Sequence, residues 1–168
     1  VTQGKVISIE PNPFNLRFLL LNLRINRLLQ KVNIVNKAAW SKSGELIPMA
    51  FNPAESGKTT LLVSKRRKDS QKFYAKTITL DETIQPYTNE DDLFLIKIDV
   101  EDSWKDVFEG LNKLPKRTLI IAEIPDFKKG KLLLKRLGFK RIVLLDYGAI
   151  KYVVASTIPE ALPYSLIN

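Results

Sequence analysis

The chain is 168 residues long, 45% hydrophobic and 27% charged, with a formal charge of +9. That length buries one good core, so a single domain over residues 1–168 is expected. Cysteine and histidine are both absent, which excludes disulfides, thiolate metal sites and every Ser-His or Cys-His nucleophile pair, and leaves proton transfer to Asp, Glu, Lys or Tyr.

No apolar run is long enough to span a bilayer, and no signal-peptide pattern opens the chain. A cytoplasmic protein without a membrane partner is therefore expected. The cations are spread over helix faces and turns with few interleaved aromatics, so a solvated basic surface is favoured over a nucleic-acid interface.

Val6 to Ile9 is a short apolar run that stops at Glu10 and reads as a buried strand. Asn12 suits a helix N-cap and Pro13 the first helical position. The helix that follows places Leu16, Leu19, Leu20, Leu23 and Leu28 on a helical repeat and is predicted to end near Gln30. Val32 to Val35 is the second strand, closing on Asn36-Lys37-Ala38-Ala39.

From Gly44 to Thr79 the pattern changes. Leu46 to Phe51, Thr59 to Val63 and Phe73 to Ile78 are runs separated by Pro53, Gly57 and the Lys65 to Asp69 charge cluster. They predict antiparallel strands or a β-hairpin inserted between units of the sheet. Asp81 is expected to cap a short helix before Pro86, and Asn89 to Asp92 to form an acidic turn.

Leu93 to Asp99 is the next buried strand, followed by a helix from about Ser103 to Leu111. Thr118 to Ile124 is a strand, and Lys129 to Leu137 a helix stopped by Gly138. Two last strands, Ile142 to Leu145 and Ile150 to Ala155, flank Tyr147-Gly148 as a hairpin. The tail from Ile158 is expected to pack along the surface. Strand-helix alternation with an antiparallel finish gives an α/β plan.

In such a sheet, whatever follows the carboxyl ends of the strands lines the ligand crevice. Glu10 there suits ribose hydroxyls; its plainer role is to cap the turn or face solvent. Lys97, Asp99 and Glu101 share one parity, and Glu123 ends the next strand. Burying such charges costs several kcal/mol, on the order of a lost ion pair, unless they are paired or engage a ligand. They read as a site, or else as a charge network tying the sheet edge to its loops. Gly57-Lys58-Thr59 is not a phosphate loop, because Asn52 stands where the first glycine belongs and a strand follows. Trp40 and Trp104 read as packing residues.

Four stretches, in this order and spacing, resemble the FkbM-type S-adenosylmethionine-dependent methyltransferases: Val6 to Pro13; Val35 to Ser41 with Gly44; Thr79-Leu80-Asp81-Glu82; and Leu95 to Glu101. Ile121 to Ile124 and Leu137-Gly138-Phe139 fit as well. The resemblance runs from about residue 4 to 155. It implies a Rossmann-like class I methyltransferase sheet, mostly parallel with an antiparallel C-terminal strand. It also implies methyl transfer from S-adenosylmethionine to a small-molecule or sugar hydroxyl. By the same resemblance Glu10 holds the cofactor ribose, with Asn12 beside it, Lys37 and Ala38 lie against the adenine, and Asp99 sits near the methyl donor. Asp99, Glu101 and Lys97 would serve the reactive centre, without a metal.

Two departures stand out. The family usually has glycine after Asp-Val-Glu, where this chain continues Asp102-Ser103-Trp104. The nine residues before Glu10 hold no Gly-x-Gly, so the family's glycine-rich cofactor loop and first strand are expected to be missing. A homodimer is one way to complete such a sheet. The same departures keep open a non-catalytic, methyltransferase-like interaction domain, and the +9 charge keeps open an RNA-directed methyltransferase.

Overall fold

Val6–Ile9 (β1) and Val32–Val35 (β2) pair in parallel, Val6 opposite Val32 and Ile9 opposite Val35. The structure, a computed structural model, describes residues 4–53, 59–61, 70–87, 92–148 and 151–159. The chain divides into two units, Val1–Ile78 and Thr79–Asn168.

In the first unit, helix α1 (Pro13–Ile25) crosses between β1 and β2. It starts as the sequence dictates: the Asn12 side-chain oxygen accepts the Phe14 N–H at 2.9 Å, and proline, which has no N–H to satisfy, takes the first turn. It stops at Ile25, five residues before the predicted end. Arg27 turns the backbone left-handed (φ 57°), its N–H bonds Arg24 O at 3.1 Å, and the Leu28 N–H reaches back to Leu23 O at 2.7 Å. This is the six-to-one and five-to-two closure usually built on glycine, made here by an arginine. Only one 3-10 turn, Leu29–Lys31, follows.

The same unit holds a second sheet of Ala38–Ala39 (β3), Leu46–Phe51 (β4), Thr59–Leu61 (β5) and Gln71–Ile78 (β6), in the order β3-β6-β4-β5. β4 is antiparallel to β5 and β6, while β6 runs parallel to β3. The expected antiparallel insertion is thus a mixed sheet that also takes in the end of the Asn36 to Ala39 turn. Ala38, Met49 and Ala75 form its core, with Ile47 and Phe73 packed against them. Phe14 stacks on Phe51 at 5.5 Å and Phe51 meets Phe73 edge-on at 6.0 Å, joining α1 to this sheet. Val63 and the Lys65 to Asp69 cluster lie outside the described residues, as do Gly57-Lys58 and Asn89 to Asp91.

In the second unit, Phe94–Ile98 (β7), Thr118–Glu123 (β8), Arg141–Asp146 (β9) and Lys151–Ser156 (β10) form one sheet in the order β7-β8-β10-β9. β7 and β8 are parallel; β10 enters between β8 and β9 and runs antiparallel to both. The antiparallel C-terminal strand matches expectation. The mostly parallel sheet does not: among the described pairings, β4-β5, β4-β6, β8-β10 and β9-β10 are antiparallel, and the fold is mixed α/β. Direct connections such as β4 to β5 and β9 to β10 reverse the chain and permit only antiparallel pairing.

The short helix Leu80–Ile84 (α2) is capped by Thr79, whose hydroxyl accepts the Glu82 N–H at 3.1 Å. Asp81, expected as that cap, instead accepts the Asn112 and Lys113 amides at 2.9 Å and so fixes the loop after helix Trp104–Glu109 (α3). Helix Phe127–Arg136 (α4) begins two residues earlier than predicted, because Asp126 caps it by accepting the Lys129 N–H at 3.1 Å. Gly138, at φ 95°, ends it as expected. Ile120, Ala122, Val153, Ala155, Leu134, Phe108 and Trp104 are buried in this unit.

Candidate functional site

In the first unit the turn after β1 is built around one carboxylate. Glu10 Oε1 accepts the Asn12 backbone N–H at 2.8 Å, and the Glu10 N–H extends the parallel ladder to Val35 O at 3.1 Å. Asn36, at the end of β2, donates its side-chain amide to Glu10 O at 2.8 Å and ties the two strand ends together. Asn12 is fully buried: its oxygen caps α1 and its amide donates to Thr59 Oγ1 at 3.1 Å. Burial pushes the Glu10 pKa up, against hydrogen bonds from the Asn12 backbone and the Asn15 side chain that pull it down. A half-buried acid held this way gains from further donors.

Lys37 is half-buried, its N–H bonded to Val35 O at 3.0 Å. The Ala38 methyl is in the sheet core with Met49 and Ala75, so any ligand contact at this position would be made by backbone. Of the predicted cofactor residues in this unit, the structure brings Glu10 and Asn12 together directly.

In the second unit, Lys97 near the end of β7 pairs with Asp99 at 2.7 Å, both largely exposed. Ile98 lies opposite Ala122, so the parallel register carries Asp99 toward Glu123 at the end of β8. The Glu123 pKa is raised, first by burial, then by the charges of Asp99 and Glu101 and a side-chain hydrogen bond with Asp99, with Lys97 opposing. Lys97, Asp99, Glu101 and Glu123 therefore form one electrostatic cluster. Glu101 takes a left-handed backbone (φ 52°) and opens a 3-10 turn over Glu101–Ser103. For a residue with a Cβ that conformation costs roughly 1–2 kcal/mol, a strain of the kind found at functional turns.

Sequence reasoning named Glu123 only as a neighbour and missed Asn15 and Asn36. The signal for Glu123 was its place at the end of the strand after β7. For Asn36 it was a side-chain amide one residue past β2. Trp104 is buried in the second unit, with Lys105 5.4 Å above its ring, as a packing residue should be. Among the described residues, no group of three or more His, Cys, Asp or Glu is arranged to hold a metal ion.

In the first unit an acid follows the carboxyl end of a parallel strand, and in the second the last strand runs antiparallel to its neighbours; the fold is mixed α/β. The Methyltransferase FkbM domain family matches residues 2–141, and the chain belongs to that family. The fold is similar to that of the crystal structure of Methyltransferase FkbM from Methylobacillus flagellatus KT, with a TM-score of 0.56 at 14% identity. That match covers 90% of this chain and 36% of the other, so this chain spans about a third of its length. No curated protein matches the chain.

Proposed function

We propose that the domain binds S-adenosylmethionine and serves methyl transfer to an oxygen of a small-molecule or sugar hydroxyl. The observation that carries this reading is the Glu10 carboxylate at the carboxyl end of a parallel strand, inside the segment that the family matches.

A carboxylate offers about four lone-pair sites. The Asn12 N–H and the Asn15 side chain use two of them, which leaves acceptor capacity for the two hydroxyls of a ribose. Burial makes the Glu10 charge costly, and hydroxyl donors would offset that cost. The Asn12 N–H bonds the carboxylate at 2.8 Å and orients it in the turn. Lys37 and the Ala38 backbone stand at the positions that the resemblance assigns to the adenine. The residues present fit the cofactor's ribose, and bound cofactor supplies an electrophilic methyl group on a sulfonium.

In the second unit Lys97 fixes Asp99, leaving Asp99 and Glu101 to orient the acceptor hydroxyl and take its proton. Methyl transfer is an in-line displacement, so holding the reacting atoms in line does most of the work and the base needs only modest strength.

Calorimetric titration of the chain with S-adenosylmethionine and S-adenosylhomocysteine tests the reading. Saturable micromolar binding is expected, abolished in Glu10→Ala. A folded protein that binds neither compound would overturn it, and unchanged affinity in Glu10→Ala would remove the ribose assignment.

A further inference from the structure

Helix α1 carries apolar side chains on two sides. Leu16, Leu19 and the buried Leu23 make its packing side. On the other side Phe14, Phe18, Leu21 and Ile25 follow one another. Phe14 stacks on Phe51 and meets Phe18 edge-on at 5.1 Å, while Phe18, Leu21 and Ile25 are 52, 51 and 68% exposed, and Leu28, 40% exposed, continues the row past the helix end. Spacings of three and four residues put these side chains in one line. Leu20 is exposed on the far side of Arg17 and Arg24, so the apolar surface straddles two arginines. Single exposed leucines are ordinary, but a contiguous row of large apolar side chains marks an interaction surface.

Charge identifies the partner. Between Glu10 and Glu45 the chain has Arg17, Arg24, Arg27, Lys31, Lys37 and Lys42 and no acid. A second copy of this helix would set like charges against each other. A partner helix would cover a narrow seam with charges flanking it. Here the arginines stand inside the apolar arc, and the patch runs on past the last helical turn to Leu28 and Leu29. A lipid surface accommodates both features: guanidinium groups snorkel to phosphates while leucine and phenylalanine side chains sink among acyl chains.

We propose that α1 is a membrane-surface helix whose Phe18–Leu21–Ile25 row inserts into the outer acyl layer of an anionic phospholipid bilayer, with Arg17 and Arg24 at the headgroup phosphates. Lying on a bilayer is a different demand from crossing it. No described helix is long and apolar enough to cross, and that does not bear on binding at the surface. α1, about 20 Å long, fits within the interface.

The test uses the whole chain and vesicles of phosphatidylcholine with or without phosphatidylglycerol. Leu21→Glu with Ile25→Glu disrupts the row. Lys128→Ser with Lys135→Ser on α4 lowers the net charge equally and leaves α1 intact. Sedimentation with phosphatidylglycerol vesicles should fall about tenfold or more in the first variant and change little in the second. Measured against the parent chain, whose Trp40 and Trp104 set the baseline, Phe18→Trp should add a blue-shifted, vesicle-dependent emission that brominated acyl chains quench. Equal loss in both double variants, or no acyl-chain quenching at position 18, would reduce the effect to diffuse charge and overturn the proposal. Self-association of the chain that disappears in Leu21→Glu/Ile25→Glu, without vesicle binding, would overturn it in favour of a second copy.

Discussion

Glu10 and Asn12 hold each other across the turn that ends β1: the Asn12 N–H donates to Glu10 Oε1 at 2.8 Å, while the Asn12 side chain caps α1. The carboxylate proposed to receive a ribose is thus also the group that shapes its own turn. Its charge is the part the fold does not need.

That separation predicts a pH dependence. Burial raises the Glu10 pKa above its ordinary value of 4.5, so the folded state holds the proton more tightly than the unfolded one. The stability from this group is complete below about 4.5 and is lost as pH rises through the folded value. Glu123 acts in the same direction. Stability should therefore rise as pH falls from neutral toward 5, as read by urea midpoints on the order of every half unit of pH. Glu10→Gln keeps an acceptor for Asn12 and removes the charge. It should be more stable than the parent at pH 7, show a flatter pH profile and lose cofactor affinity.

Asp81 accepts two backbone amides of the 112–113 loop, at 2.9 Å each. Asp81→Ala should cost about 1.5–2 kcal/mol, because charge-assisted bonds are lost while water can still reach the freed amides. Asp81→Asn, which retains an acceptor, should recover roughly half of that. Chemical denaturation of the two variants side by side gives the comparison.

Gly130 sits inside α4, where alanine would ordinarily raise helix stability by about 1 kcal/mol. A Cβ there would stand 2.6 Å from Ile124 Cγ2, on a stiff, β-branched side chain that is itself fully buried. Overpacking of this kind costs about 1–3 kcal/mol, so Gly130→Ala should be net destabilising by about 1 kcal/mol. Ile124→Ala in the same chain should absorb the added methyl, making the double variant less costly than the sum of the two single changes.

Arg27 closes α1 in a backbone conformation that glycine adopts freely. Arg27→Gly should stabilise the protein by about 0.5–1 kcal/mol: relief of the left-handed conformation exceeds the entropy that glycine adds to the unfolded chain. Arg27→Ala, which keeps the Cβ, should gain nothing. Thermal midpoints of the three proteins decide it.

The two helix ends show how far sequence alone reached. Gly138 announces the end of α4 because glycine is the usual residue for a left-handed closure. Arg27 performs the same closure on α1 and announces nothing, so the apolar repeat alone predicts a helix five residues too long. Asp81 and Thr79 divide in the same way. Both suit an N-cap by type, and only the backbone beside them determines which one caps α2 and which turns to the 112–113 amides.

Local chemistry written in the sequence determined β1, the Asn12-Pro13 helix start, the parallel β7 and β8 runs, the final hairpin and the family resemblance. These follow from residue type and short periodicity. Tertiary structure decided what depends on distant neighbours: that β6 joins β3 to β4, that the Ala38 methyl is spent on a core, that Glu123 shares the field of Asp99 and Glu101, and that a leucine-rich helix leaves one apolar face open. Burial and electrostatic coupling belong to a residue's surroundings, and those are assembled only when the chain folds.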